Sequence, residues 1–275
     1  MLNRPSLSPI ITLTTDFGHA DEYVGVLKGV VLSRSPQARL VDLCHTIPPQ
    51  DVAQAALLLG AAAPFFPPGT IHLAVVDPGV GTSRRLIATR ANGQMLVGPD
   101  NGIFSAFLTA FPIEEVVVID CPQHYLSPVS ATFHGRDILA PVAAALANGI
   151  PLATIGPRVV PETLVKVIQP ELQIDSIHGN MTGAIIHQDH FGNLTTNIHQ
   201  RDITRLGANP ASLRVFLGSH RIDGLSTTYG TSRPGALLAL IGSRGFLELA
   251  QCMGNAAQFT GAAVGDRVGL VIRHT

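Results

Sequence analysis

The first half of the chain alternates strand-like apolar runs with helical patterns, and this alternation is the strongest constraint on its fold. The strand-like runs are 10–14, 40–43, 70–76, 86–89, 95–97 and 116–119, and the helical segments are 21–33, 51–63 and 135–147. Parallel neighbouring strands need long crossover connections, which helices usually supply. We therefore predict an N-terminal layered α/β domain with a mostly parallel sheet.

The pattern changes after a cluster of proline and glycine residues at 151–161. Helical periodicity fades there, and short strands separated by Gly, Asn and Pro turns follow one another. These strands are predicted at 165–168, 181–187, 213–217, 237–241 and 268–272. The second half therefore indicates a smaller, β-rich, barrel-like domain. We expect the two domains to span 1–160 and 161–275.

Charge is unusually scarce in this chain, and that limits its partners. Charged residues make up 13% of the sequence and apolar residues 46%, whereas about 25% charged residues is typical. A surface so poor in charge predicts burial against copies of the same chain, hence a homo-oligomer. The formal net charge is −1, and the longest basic run is Arg84–Arg85. Nucleic acid is therefore not an expected partner.

No signal peptide, membrane span or metal motif is recognisable. The first residues contain no apolar stretch of signal-peptide length, and no later segment approaches the length of a membrane span. We expect a cytoplasmic protein without a membrane partner. Cys44, Cys121 and Cys252 lie far apart, with no CxxC pair and no His placed at the spacing of a metal site, so neither a disulfide nor a metal site is predicted.

Two predicted strands of the first domain end in an acidic residue. Asp16 follows the first strand, and Asp77 follows a buried strand and precedes a glycine-rich turn that ends in Arg84. Ligands of open α/β sheets bind beyond the carboxyl ends of the strands. A carboxylate at position 16 can accept two hydrogen bonds from a ribose diol. The alternatives are a helix cap or turn residue for Asp16 and a structural ion pair between Asp77 and Arg84.

His134 stands immediately before a predicted helix. The positive end of the helix dipole disfavours an imidazolium there and suits a neutral, polarising or proton-accepting ring. In the second domain, Asp189 and Asn193 lie on one polar turn, and Asn193 has the amide donors and acceptors that purine edges require. Ser243 and Arg244 lie on another turn that would suit a carboxylate. Each of these turns could also be purely structural.

Six segments together resemble one known family. They are TTDFGHADEYVGVLKG, VVDPGVGTSRR, GPDNGIF, TFHGRD, DHFGNLTTNI and GSRGFLELA. In this order and spacing they resemble the SAM hydroxide adenosyltransferases, the S-adenosylmethionine hydrolases that form adenosine and are related to fluorinase and chlorinase. The resemblance spans nearly the whole chain. It implies a homotrimer, with active sites between the α/β domain of one subunit and the β domain of its neighbour.

The resemblance implies an enzyme that hydrolyses S-adenosylmethionine to adenosine and methionine by nucleophilic substitution. S-adenosylmethionine is then the substrate, and no cofactor is expected. The water-activating set would be Asp77, Arg84 and His134. The fluorinase lacks this set and carries an inserted segment in its first domain, whereas this chain has the set and is too compact for the insertion. Hydroxide transfer is therefore favoured over halide transfer.

The same resemblance implies the residues that bind the substrate. Asp16 would bind the ribose diol and Asn193 the adenine, while Asp189, Ser243 and Arg244 would bind the amino and carboxylate groups of methionine. The sequence is also compatible with three other hypotheses. They are halide transfer to the same substrate, a non-catalytic protein that binds adenosine or S-adenosylmethionine, and a metal-dependent hydrolase using Asp77 and His134. The last is disfavoured because the sequence has no compact cluster of His and carboxylates.

Overall fold

The computed structural model describes residues 8–207 and 209–272. The chain divides into two compact units, Met1–Val167 and Ile168–Thr275. Each unit has its own hydrophobic core.

Over residues 8–167, the first unit contains six strands and four α-helices. The strands are β1 (Ile10–Thr15), β2 (Arg39–Cys44), β3 (Ile71–Val75), β4 (Leu86–Ala91), β5 (Gln94–Pro99) and β6 (Ile113–Val118). The helices are α1 (Tyr23–Arg34), α2 (Val52–Ala62), α3 (Ser105–Ala110) and α4 (Ala140–Ala147). A five-residue π-helical segment, Gly135–Leu139, leads directly into α4.

The strands of the first unit form one sheet in the order β2-β1-β3-β5-β4-β6. The first four of these strands are parallel, and β4 pairs antiparallel with both β5 and the edge strand β6. The predicted α/β domain with a mostly parallel sheet is thus confirmed. Strand β4 runs antiparallel because only Asn92 and Gly93 join it to β5, too few residues for a parallel crossover, whereas α3 connects β5 to β6 and these two strands run in the same direction.

Side chains of the central strand β3 alternate between two cores. Leu73 and Val75 pack in the core with α1 and α4, whereas Ala74 and Val76 pack in the core with α2 and α3. Because successive residues of a strand point to opposite faces, a strand buried on both faces is largely apolar, and the polar residue of β3, His72, is buried against Thr12 and Gln94. Helices cover both faces of the sheet, so its ligand-accessible region is left at the strand ends.

One predicted strand is wrong. Residues 165–168 form no strand, because backbone N–H groups of this segment bind side chains instead of a neighbouring strand. Val165 N donates to Asp100 Oδ1 at 2.9 Å, and Val167 N donates to Ser105 Oγ at 2.9 Å. An apolar run in the sequence does not reveal which acceptors its backbone will find.

The second unit is a nearly closed, barrel-like antiparallel sheet. Its strands are β7 (Gln173–Asp175), β8 (Asn180–Gln188), β9 (Leu194–His199), β10 (Leu213–Leu217), β11 (His220–Asp223), β12 (Leu237–Ile241), β13 (Phe246–Gln251) and β14 (Arg267–Ile272). The order is β11-β10-β14-β8-β9-β13-β12, and β7 pairs with β8. The described part of this unit also contains two short helices, α5 (Gln200–Arg205) and α6 (Ala256–Thr260). The predicted β-rich, barrel-like domain is confirmed.

Within the described residues, no helix is long and apolar enough to cross a membrane.

Candidate active site

Asp16 and Asp77 lie at the same edge of the first unit's sheet. Asp16 directly follows β1, and Asp77 lies two residues after β3. The two strands are parallel neighbours, with Thr15 opposite Val75. Their carboxyl ends therefore meet at one edge, which is where open α/β sheets bind ligands.

Arg84 donates two hydrogen bonds to the Asp77 carboxylate. Arg84 Nε donates to Asp77 Oδ1 at 2.7 Å, and Arg84 Nη2 donates to Asp77 Oδ2 at 2.5 Å. The two side chains are only 11% and 6% exposed. Such fork-like pairing of a guanidinium with a carboxylate fixes the orientation of both groups. The ion pair seen as an alternative in the sequence does exist, and a third residue joins it.

The third residue is His134, which lies 50 positions from Arg84 in the chain. Arg84 Nη2 donates to His134 Nδ1 at 3.0 Å. A guanidinium has no acceptor, so His134 Nδ1 must be unprotonated and the neutral ring carries its proton on Nε2. Burial and then the Arg84 charge lower the pKa of His134, against opposing effects of Asp77 and Asp137. The imidazole is therefore neutral near pH 7.

A close backbone approach at Gly81 brings the Arg84 loop beside the His134 loop. Gly81 has a φ of +79°, and a Cβ atom there would lie 2.4 Å from the carbonyl oxygen of Ala131. No side chain fits this gap, and the positive φ is itself unfavourable for residues other than glycine. Glycine at this position thus lets the two loops pack against each other.

Replacing Gly81 with alanine is expected to destabilise the protein by roughly 2–4 kcal/mol, from a strained φ and an overpacked contact. Denaturant unfolding measures this loss. Gly149→Ala is the matched control, because Gly149 has a φ of +86° but nothing within 4 Å of its Cβ position. It should show only the backbone penalty of about 1–2 kcal/mol. Equal losses in the two variants would contradict the importance of the contact with Ala131.

Asp137, which the sequence analysis did not single out, holds the segment that precedes His134. Its side chain is 2% exposed and accepts hydrogen bonds from Ser130 N at 2.8 Å and from Arg136 Nε at 2.6 Å. Burial raises the pKa of Asp137, but Arg136 and the Ser130 amide outweigh it, and the pKa lies below its usual value. The adjacent Arg136 and Asp137 in the TFHGRD segment were the sequence signal that could have indicated this role.

Asp16 is half-buried and is held on one side only. Gln50 N donates to Asp16 Oδ2 at 2.8 Å. Among residues 8–207 and 209–272, no hydrogen bond is made to the other oxygen, Oδ1. A carboxylate with one oxygen fixed and one available can accept a hydrogen bond from a ligand hydroxyl. The predicted role of Asp16 in binding a ribose diol stays a prediction.

In the second unit, Asp189 and Asn193 form one tight turn between β8 and β9. Asp189 Oδ1 accepts from the backbone N–H of Phe191 and of Asn193, and Oδ2 accepts from Asn193 Nδ2, each at 2.9 Å. Asn193 is 9% exposed. The Asp189 carboxylate therefore orders the turn and presents the Asn193 amide. The ligand roles predicted for both residues stay predictions.

Ser243 and Arg244 are exposed on the turn between β12 and β13. This turn lies near the last residue of β9, because β13 runs antiparallel to β9 and Phe246 pairs with His199. The Asp189 turn lies at the other end of β9. Within the described part of the second unit, no hydrogen bond joins the two turns. The roles predicted for Ser243 and Arg244 in binding a carboxylate stay predictions.

A row of polar residues lies between these turns and was missed from the sequence. Strand pairing places His187 opposite Thr195 and Thr195 opposite Glu248. Burial and then Arg244 lower the pKa of His187, against Asp189. Tyr229 donates to Glu248 Oε1 at 2.6 Å. Burial, reinforced by Glu248, raises the pKa of Tyr229 to about 12. Strand register brings His187, Thr195 and Glu248 together, and Tyr229 joins them from a short turn. Motif spacing therefore gave no indication of this row.

The structure thus gathers Asp77, Arg84 and His134 into one cluster with a fixed pattern of charge and hydrogen bonding. A neutral imidazole, a cation and a carboxylate in contact can polarise a bound water and take up its proton. Within the described residues, no three His, Cys, Asp or Glu side chains are grouped so as to hold a metal ion.

Both units of the chain match domains of one known family. Residues 11–156 match the SAM hydroxide adenosyltransferase N-terminal domain, and residues 183–269 match the C-terminal domain of the same family. The chain belongs to the SAM hydroxide adenosyltransferase family.

Two curated relatives and one solved structure illustrate this membership. An (R)-S-adenosyl-L-methionine hydrolase from Salinispora arenicola is 40% identical, over 95% of this chain and 97% of that one. A fluorinase from Nocardia brasiliensis is 30% identical, over 88% and 90%. The crystal structure of an uncharacterized conserved protein from Thermotoga maritima aligns with a TM-score of 0.88 at 33% identity, covering 95% of this chain and 99% of that one.

Proposed function

We propose that this protein hydrolyses S-adenosylmethionine to adenosine and L-methionine, by attack of an activated water on the ribose 5′ carbon. The observation that carries the proposal is the contact of Arg84 with both Asp77 and His134. Membership of a family that includes (R)-S-adenosyl-L-methionine hydrolases supports the choice of substrate and reaction.

The nucleophile is the difficult partner in this reaction. The sulfonium is already a good leaving group, whereas water attacks carbon weakly and hydroxide is scarce at neutral pH. His134 would donate a hydrogen bond from its Nε2–H to the water oxygen and keep its proton, and the positive charge of Arg84 would stabilise an incipient hydroxide. Asp77 would accept the departing proton and pass it to solvent. The carbon–sulfur bond breaks as the carbon–oxygen bond forms, and its electron pair stays on methionine.

Positioning would supply much of the rate, because attack must be in line with the departing sulfur. In the first unit, Asp16 would bind the ribose diol. In the second unit of a neighbouring subunit, Asn193 would bind adenine. The amino and carboxylate groups of methionine would bind to Asp189, Ser243 and Arg244 of that same unit. The polar character of the second unit's turns supports this assignment.

Halide transfer to the same substrate is the second candidate, because fluorinases are among the relatives. Hydrolysis is favoured because the Asp77, Arg84 and His134 cluster suits activation of a water. A halide ion is already a nucleophile and needs no group to remove a proton. A binding protein without turnover is a third candidate, in which the cluster serves only to hold its loops together.

Purified protein incubated with S-adenosylmethionine in chloride buffer, chelator and heavy-oxygen water should yield adenosine carrying the heavy oxygen. Chromatography with mass detection identifies the nucleoside. Chloro-adenosine as the product would replace hydrolysis with halide transfer, and unchanged substrate would leave the binding protein as the better description. Loss of turnover in chelator, restored by a divalent metal, would contradict a metal-free mechanism.

We propose a homotrimer in the cytoplasm that uses neither a metal ion nor a cofactor. The low content of charged residues supports self-association. Sedimentation equilibrium should give three times the 29.0 kDa mass of the chain, and a monomeric mass with full activity would contradict the trimer.

A further inference from the structure

A connected set of polar side chains lies behind Asp16 and has no part in the chemistry described so far. Thr15 Oγ1 lies 2.8 Å from His45 Nδ1, and His45 Nε2 lies 3.0 Å from Asp42 Oδ1. Lys28 Nζ donates to Asp42 Oδ2 at 2.6 Å. Thr15 is fully buried and His45 is 1% exposed, whereas Asp42 and Lys28 lie at the surface.

The direction of these hydrogen bonds follows from the donors available. Phe17 N donates to Thr15 Oγ1 at 3.3 Å, and the threonine hydroxyl still has its own proton to donate. When the neutral His45 ring carries its proton on Nε2, the nitrogen that faces the Asp42 carboxylate, Nδ1 accepts from the Thr15 hydroxyl. The protonated Nε2 lies 3.0 Å from Asp42 Oδ1, within ion-pair distance but outside hydrogen-bond geometry. Burial raises the pKa of Asp42, but Lys28 and His45 outweigh it and the pKa lies below its usual value. A carboxylate so held anchors one orientation of the ring.

His45 holds the residues on both sides of Asp16. Its side chain binds Thr15, and its carbonyl oxygen accepts from Gly18 N at 2.7 Å. The Thr15–Gly18 turn is therefore tied to the chain after β2 at two points. Gln50 N also holds Asp16 Oδ2. The direction in which Asp16 Oδ1 points is therefore set by the contacts of Gln50 and His45 with this turn.

We infer that His45 is a positioning residue for ribose recognition: through Thr15 and Gly18 it fixes the turn from which Asp16 would bind the diol. The inference rests on the proposed function, since it assumes that Asp16 binds a ribose. It adds Thr15, His45, Asp42 and Lys28 as a second layer of residues that controls the affinity for substrates carrying both ribose hydroxyls.

The same strand offers a matched control. Thr12 Oγ1 lies 2.7 Å from His72 Nδ1, so β1 carries two buried threonine–histidine pairs of nearly equal geometry. Thr12 and Thr15 are three residues apart and point to opposite faces of the sheet. Only the Thr15 pair adjoins the Asp16 turn. Removing either hydroxyl should destabilise the fold in a similar way, but only one removal should disturb ribose binding.

The test compares Thr15→Val with Thr12→Val, each titrated calorimetrically with adenosine and with 2′,3′-dideoxyadenosine. We expect Thr15→Val to weaken adenosine binding roughly tenfold, about the effect of one lost hydrogen bond, with dideoxyadenosine binding unchanged. Thr12→Val should change neither affinity. With S-adenosylmethionine, Thr15→Val should raise KM more than it lowers kcat, and Thr15→Ser should restore the adenosine affinity.

Three results would overturn the inference. They are an equal loss of affinity for both nucleosides in Thr15→Val, the same selective loss in Thr12→Val, and a wild-type protein that binds the two nucleosides equally. Turnover of S-adenosylmethionine by the wild-type protein is measured alongside. If turnover persists in any of these cases, the positioning role fails while the proposed hydrolysis stands; if turnover is absent, the proposed function itself fails. Should Thr15→Val not fold, Asp42→Asn at the surface end of the set provides the same comparison.

Discussion

Replacing Arg84 with methionine is expected to lower kcat for S-adenosylmethionine hydrolysis by roughly 10³-fold, with KM changed less than about threefold. Methionine keeps much of the side-chain volume but donates no hydrogen bond. Asp77 would lose both of its bonds to the guanidinium, and His134 Nδ1 would lose its donor. Because the cluster would act on the water and not on the bound substrate, the loss belongs in the chemical step. Steady-state kinetics with product detection by chromatography measures it.

Arg85→Met is the control for this experiment. Arg85 is the next residue in the chain, but its guanidinium donates to Asp100 Oδ2 and to the carbonyl oxygen of Thr163, away from His134. It should retain kcat. Arg84→Lys should stay strongly impaired, since an ammonium cannot reproduce the planar fork. If Arg84→Met raised KM and left kcat intact, Arg84 would be a binding residue and the proposed mechanism would need a different water-activating group.

Acid should destabilise the protein through one buried histidine. His72 lies in the first unit's core between Thr12 and Gln94, and burial lowers its pKa from 6.5 to about 4. The unfolded chain therefore binds a proton at a pH where the folded chain does not. This contribution is full above pH 6.5, falls as the pH drops toward 4, and totals about 3 kcal/mol. Between pH 7.5 and pH 5, His72 alone should lower the free energy of unfolding by about 2 kcal/mol.

Urea unfolding at pH 7.5 and pH 5 measures this effect when the wild-type protein is compared with His72→Gln. The variant should lose about 2 kcal/mol less than the wild type over the same interval, because glutamine does not titrate. The exposed His190, changed in the same way, serves as the control and should leave the pH dependence of the wild type intact. Identical pH dependence in the wild type and His72→Gln would show that His72 is already protonated in the folded protein at pH 5.

The position of the candidate site could be predicted from the sequence because it depends on local order. An acidic residue that ends a buried parallel strand must lie at the carboxyl edge of the sheet, and Asp16 and Asp77 do. Likewise, His134 directly precedes the helical segment that begins at Gly135. Periodicity and strand order determine these placements without knowledge of distant contacts.

Contacts between distant segments could not be predicted in this way. Bonding of Arg84 to His134 depends on the gap at Gly81, and no spacing rule reveals it. His45 and Asp42 look like ordinary residues at the end of a strand until β1 and β2 pair. The apolar run at 165–168 resembled a strand because composition records hydrophobicity and not the acceptors, here Asp100 and Ser105, that its backbone meets.

The hydrogen bond from Arg84 to His134 Nδ1 determines the tautomer of the imidazole before any ligand arrives. Because Nδ1 accepts this hydrogen bond, the neutral ring carries its proton on Nε2, and Nε2–H is the group left to contact a ligand. It does not have to flip or exchange protons between successive turnovers. The ordering of the ring is therefore completed when the chain folds, and the reorganisation that a mobile imidazole would add to every catalytic cycle is avoided.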